Sequence, residues 1–202
     1  MKNDSRRTQL IDATIRVIGT EGIDAATTKR IGNETGINEA YIYRCFNNKV
    51  DMFVKTFEYL DELLFSKLAS CTEQIKLCGN KYEIWCHFYF EPLLKFFRED
   101  SDKWNTYIQY YYSAYYETNS LDEHLKRLNV LGARMNDMFI TDTNTPMLIS
   151  YMVSTLMDYC YRANNRILPH KDIESQEICH MIYESIKHDQ FLVIHKHNVR
   201  VF

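Results

Sequence analysis

TTKRIGNETGINEAYIYRCFNNKVDMF, residues 27–53, carries the punctuation of three helices in quick succession. Thr27 or Thr28 can cap a first helix that runs through Glu34, and Gly36 supplies a tight turn. Asn38 caps a second short helix, and Asn48-Lys49 opens a third. Ile31, Ile37, Ile42 and Phe46 give the apolar contacts such a pair needs, while Tyr41, Tyr43, Arg44 and Lys49 supply polar reach. Two helices joined by a short turn containing Gly form the helix-turn-helix plan, whose second helix enters the major groove of DNA. The segment predicts a DNA reader.

Geometry assigns expected roles on the second helix, about Asn38 to Cys45, because residues near its N-terminus face the base edges. Glu39 could accept from a cytosine amino group, Tyr41 could touch a thymine methyl or a phosphate, and Arg44 reaches guanine or a phosphate. Two plainer uses stay open: Glu39 favouring the helix dipole, and Tyr43 packing in part. Lys2, Arg6 and Arg7 form a short basic arm, either a phosphate or minor-groove contact or a solvated terminus.

The segment resembles the N-terminal domain of TetR-type transcriptional regulators. The matching positions are Thr28, Ile31-Gly32, Gly36-Ile37-Asn38, Tyr43-Arg44-Cys45-Phe46 and Lys49. Residues 6–22, RRTQLIDATIRVIGTEG, extend the likeness as the preceding helix. The resemblance implies phosphate contacts from Tyr43 and Lys49, and a backbone clamp at Thr28. Lys29 and Asn38 complete the expected DNA-contact set. Two departures stand out. Gly32 replaces a usual Ala, an expected cost of about 1 kcal/mol in helix stability. Cys45 stands where an aromatic or His is common, so no contact carries over there.

The chain has 202 residues and a net charge of −3. Residues 1–55 hold nine Lys/Arg against seven Asp/Glu, and the remainder 15 against 20. A mildly basic head on an acidic body suits a protein that touches phosphates with one end. The six cysteines show no paired spacing, no signal peptide is read, and no apolar run has membrane-spanning length. The expectation is a cytoplasmic protein with reduced thiols and no membrane association.

Only six Gly and three Pro occur, so an all-α chain is expected. Residues 1–48 form the three-helix DNA-binding domain, and 49–202 a larger helical domain for effector binding and dimerisation. Residues 6–20 read as a helix stopped by Gly19 and Gly22, and 49 to about 76 as a long connecting helix. Capping signals at Asn80-x-x-Glu83, Ser120-x-x-Glu123 and Thr145-Pro146 punctuate the body. They predict helices near 81–98 with a kink at Pro92, 102–117, 120–139, 146–165 and 171–189. The tail FLVIHKHNVRVF has β-like composition and no evident partner.

Fourteen of the 28 aromatic residues crowd into 82–116. Aromatic walls with a few polar tips make small-molecule pockets, and they also make ordinary cores. Trp85, Tyr89, Trp104, Tyr107 and Tyr111 are the candidate wall, on two helical stripes. Glu91, Glu117 and Asp158 could add charge for a lipophilic cation, or simply lie on solvated faces. No catalytic signature is present, so neither an enzyme nor a cofactor is expected. His188, His195 and His197 cluster near the end, and His195-x-His197 lacks a further ligand for a metal at helical spacing.

The TetR resemblance also implies a homodimer through the last two long helices, matched by position to 146–165 and 171–189. Met152, Leu156, Ile178, Met181, Ile182 and Ile186 suit such an interface, or an intrachain core. The reading is a ligand-responsive repressor that binds a near-palindromic double-stranded operator and releases it for a small apolar or aromatic effector. The alternative is a DNA-bound protein-interaction module with no small ligand.

Overall fold

Helix breakers are scarce in this sequence, and helices fill nearly all of the structure. The computed structural model describes residues 2–79, 81–139, 143–168 and 172–187, and no strand occurs among them. In order, the helices are α1 (Lys2–Glu21), α2 (Thr28–Thr35), α3 (Glu39–Cys45), α4 (Lys49–Cys78), α5 (Tyr82–Trp85) and α6 (Glu91–Glu99). They continue with α7 (Ser101–Tyr111), α8 (Ala114–Asn119), α9 (Leu121–Met135), α10 (Thr145–Asn164) and α11 (Asp172–Ile186). The tail 191–202 and His188, His195 and His197 lie outside the described residues.

The chain forms two compact units. The first comprises residues 1–64 and 99–125, the second 65–98 and 126–202. The expected head, 1–48, falls wholly within the first unit, which also takes half of α4 and the whole of α7.

Several expected boundaries move for identifiable reasons. Gly19 does not stop α1, which runs to Glu21. Its missing side chain instead admits α7, since a Cβ there would sit 2.5 Å from the Asp102 carbonyl oxygen. The helix expected over 102–117 breaks at Tyr112–Ser113, where the Ser113 hydroxyl donates to the Tyr110 carbonyl at 2.7 Å. Asn144, not Thr145, caps α10, accepting from the Met147 amide at 3.1 Å. Pro92 acts one turn upstream of itself. Having no N–H, it leaves the Phe88 carbonyl without its α-helical partner, and Cys86–Phe90 widen into a π turn closed by Glu91 N–H to Cys86 C=O.

Apolar residues at helical spacing form the buried cores. Leu10, Ala13, Val17 and Ile18 of α1, and Met52, Phe53, Phe57, Leu60 and Leu64 of α4, are at most 3 % exposed. In the second unit, Met152, Leu156, Ile182 and Ile186 are at most 1 % exposed within the single chain. Those four are therefore core residues, while Met147, Tyr151 and Met181 are, among the described side chains, the large apolar ones that α10 and α11 leave exposed.

Candidate nucleic-acid interface and aromatic clusters

Local chemistry shapes the helix-turn-helix. Thr27 caps α2 by accepting from the Arg30 amide at 3.0 Å, and Gly36 ends it in the left-handed region at φ 68°. Asn38 caps α3, accepting from the Ala40 amide at 2.9 Å. Asn48 accepts from the Asp51 amide, and Asp51 accepts in return from Asn47, which fixes the start of α4. Ile31 and Ile42 are fully buried, and Phe46 nearly so. Gly32 has a use that the sequence did not reveal: a Cβ there would lie 2.8 Å from the Ile37 carbonyl oxygen. The turn closes against this glycine.

Of the expected DNA contacts, Lys29, Asn38, Glu39, Tyr43 and Arg44 are exposed, while Thr28, Tyr41 and Lys49 are half-buried. The Thr28 hydroxyl donates to the Glu39 carboxylate, tying the start of α2 to the start of α3. Tyr41 lies under two guanidinium groups, Arg6 at 4.5 Å and Arg44 at 5.7 Å from the ring centre. The basic arm thus folds beside the second helix at Arg6, and Arg7 lies 5.3 Å over Phe46. Lys49 sits 5.0 Å over the Phe53 ring. Arg30 is engaged internally by Glu21 and Glu34, and Arg16 reaches Glu34 at 3.3 Å. The Arg30 hydrogen bond holds the Glu21 carboxyl below its ordinary range.

Sequence reasoning missed how α7 docks on α1. The Thr106 hydroxyl donates to the Ile15 carbonyl at 2.8 Å, and the Gln109 amide nitrogen donates to the Ile18 carbonyl at 2.9 Å. Gln109 accepts from the Ile23 amide at 2.9 Å, and Asn105 donates to the Gly19 carbonyl at 3.3 Å. Asn105, Thr106 and Gln109 fall between the aromatic positions of the same helix. A polar triplet in an aromatic stretch was the available signal.

Trp104, Tyr107 and Tyr111, in the first unit, belong to a cluster built around a carboxylate. Asp61 is wholly buried and accepts from the Tyr107 hydroxyl at 2.9 Å, with His124 Nδ1 2.8 Å away. Burial, then the Asp61 charge, pushes the Tyr107 phenol well above its usual range. Phe57 stacks on Tyr107 and Tyr110, and the Tyr110 hydroxyl pairs with Ser120 at 2.9 Å. Tyr111 and Tyr116 rings meet at 4.4 Å, and the Tyr116 hydroxyl has no partner. Asp61 thus supplies the buried carboxylate beside aromatic rings. Glu91, Glu117 and Asp158 are exposed.

Trp85 and Tyr89, in the second unit, are both 0 % exposed, with ring centres 5.3 Å apart. Phe90 lies 5.8 Å from each, and Phe139 is 6.4 Å from Trp85. Neither the indole nitrogen of Trp85 nor the hydroxyl of Tyr89 has a hydrogen-bond partner. Among the described residues no group of His, Cys, Asp and Glu could hold a metal ion, and no helix is long and apolar enough to cross a membrane.

Residues 10–56 match the family of bacterial regulatory proteins, tetR family. The nucleoid occlusion factor SlmA of Alteromonas mediterranea is 29% identical over 87 residues, 43% of this chain and 45% of that protein. The match thus spans under half of that relative's length. Over the whole fold, the fatty acid degradation regulator FadR of Bacillus halodurans aligns with a TM-score of 0.69 at 19% identity, covering 91% of this chain and 97% of that one. FadR of Bacillus subtilis in complex with stearoyl-CoA aligns at 0.68 and 16% identity, covering 89% and 98%. These structural likenesses are likenesses of fold.

Proposed function

The chain carries the DNA-binding domain of the TetR family of transcriptional regulators on a body of that family's fold, and we propose that it is a homodimeric repressor released from DNA by a small apolar effector. It works in the cytoplasm on a near-palindromic operator, and its output is regulation rather than catalysis. Lys29, Asn38, Tyr41, Tyr43, Arg44 and Lys49 contact the operator, with Lys49 and Tyr43 on phosphates. Thr28 and Glu39, hydrogen-bonded to each other, set the angle of α3 and approach the DNA from that position.

One observation carries the ligand response. Helix α7 bears Trp104, Tyr107 and Tyr111, and between them bears the Asn105, Thr106 and Gln109 bonds to α1. An effector that displaces those rings moves α7, and α7 cannot move without straining four hydrogen bonds to the DNA-binding domain. Trp85 and Tyr89, in the second unit, form an aromatic wall of their own and are candidate ligand contacts there. Coupling requires that effector favour the state that does not bind DNA, since equal affinity for both states shifts nothing. Dimerisation uses the α10–α11 face that carries Met147, Tyr151 and Met181, where the Ser185 hydroxyl donates to Tyr151 at 3.1 Å.

Operator binding tests the first part. Lys49→Ala should weaken binding on all sequences and flatten the log–log salt slope by about one unit. Arg44→Ala should alter preference among operators. Unchanged affinity, slope and preference in both variants would remove the assignment. For assembly, Met181→Glu should shift the mass measured by light scattering from dimer toward monomer.

A second reading, a DNA-bound interaction module without a small effector, draws support from the SlmA relative, named a nucleoid occlusion factor. A library screen that finds no compound able to release operator would favour it.

A further inference from the structure

Buried polar atoms without partners are rare, because each forfeits the hydrogen bond it made to water. Trp85 Nε1 and Tyr89 Oη are two such atoms one helical turn apart, on side chains that are 0 % exposed. Spacing of four residues puts them on one face, and the 5.3 Å ring separation makes them one wall. A π turn begins directly after Trp85 and contains Tyr89. Such turns recur where a helix has been adapted to a site.

The chemistry of the pair selects its partner. Indole nitrogen only donates, and a phenol donates readily, so the wall asks for an acceptor. One carbonyl oxygen has two lone pairs and can accept from both. Phe90 and Phe139 stand beside Trp85, which suits an apolar remainder. Burial pushes the Tyr89 phenol above its ordinary range, so it stands as a neutral donor. A carboxylate taken to these fully buried side chains would lose its hydration, at a cost that a neutral carbonyl avoids. A cation would meet donors where it needs acceptors.

Building on the effector reading, we propose that Trp85 and Tyr89 hold the oxygen of a neutral, largely apolar effector that carries a ketone- or ester-type carbonyl. The pair is the polar anchor of the site, and the surrounding rings hold the hydrocarbon part.

The test uses the full chain and three ketones of rising size: cyclohexanone, acetophenone and 2-acetylnaphthalene. Methylcyclohexane, ethylbenzene and 2-ethylnaphthalene are their acceptor-free counterparts, and 2-naphthoate is the anionic one. Calorimetry should show at least one ketone binding about tenfold more tightly than its hydrocarbon counterpart, with 2-naphthoate weaker than 2-acetylnaphthalene. Tyr89→Phe keeps the ring and removes the hydroxyl. It should cut the preference to about threefold while leaving hydrocarbon affinity unchanged, and Trp85→Phe should do likewise. No ketone binding, equal ketone and hydrocarbon affinity, or a preference that survives Tyr89→Phe overturns the proposal, leaving the two donors to a buried water. Operator release is scored separately. A Tyr89-dependent ketone that binds without releasing DNA supports the site and defeats the effector reading. Release by ketone and hydrocarbon alike, indifferent to Tyr89, supports the effector reading and defeats the site.

Discussion

Around Asp61, in the first unit, Tyr107 and His124 converge on one buried carboxylate, and Tyr110 finds Ser120. Trp85 and Tyr89, in the second unit, are as aromatic and even more thoroughly buried, yet their polar atoms have no partner. Tyr116 is the exception in the first cluster, its hydroxyl unpaired on a residue that is 8 % exposed. The contrast teaches that ring content does not separate a core from a binding wall. What separates them is whether the polar tips are already spoken for, because a satisfied network specifies one packing and an unsatisfied one awaits a partner.

The largest effect is expected at the satisfied end of the contrast. Asp61→Ala strips His124 and Tyr107 of their shared acceptor and should cost about 3–5 kcal/mol in urea unfolding. A loss below about 1 kcal/mol would show that the cluster does not depend on its carboxylate. Next comes Gly19→Ala, whose methyl would meet the Asp102 backbone from 2.5 Å and press α7 off α1. Overpacking of this kind should cost about 1–3 kcal/mol and lower the Tm. An unchanged Tm would mean that the two helices separate freely.

Smaller variants sharpen the comparison by their sign. Tyr107→Phe should destabilise by about 1 kcal/mol, since Asp61 loses a donor. Tyr89→Phe removes a hydroxyl that has no partner, so its stability should stay within about 0.5 kcal/mol of wild type or rise. Equal losses in the two variants would erase the distinction. The mildest test is chemical. Burial raises the thiol of Cys160 to about 11 and that of Cys179 to about 12, so few thiolates form there at pH 8. Exposed Cys78 should react with iodoacetamide in native protein, and Cys160 and Cys179 only on unfolding, as read by peptide mass spectrometry.

The DNA-binding domain was legible because its signals are local. Thr27, Gly36, Asn38 and Asn48 act on amides within a few residues, and each caps or turns as its type suggests. Gly32 and Gly19 were misjudged for the opposite reason. One seemed a weak helix former and the other a helix stop, and both prove to be places where a distant or returning backbone comes too close for a methyl group. The aromatic wall was legible as composition and not as role. Nothing in the spacing of Tyr107 says that Asp61, 46 residues earlier, accepts its hydrogen bond. The stripe expected to form a dimer face was read with the same blindness, since a helical stripe does not say whether it is covered by its own chain. Met152, Leu156, Ile182 and Ile186 are, and Met181 is not.

The wide turn at Cys86–Phe90 also works as an angular offset. An α-helix advances about 100° per residue, and a π turn inserts one residue without lengthening the regular ladder on either side. Tyr82, which meets His180 at 5.1 Å and Tyr183 at 5.3 Å, precedes the insertion, whereas buried Leu93 and Phe97 follow it. The two groups keep their mutual phase because that wide turn absorbs the extra residue. Deleting exposed His87 would let the helix close into regular turns with the two groups in nearly their present phase, whereas forcing the full sequence into an unbroken α-helix would rotate one against the other by about 100°.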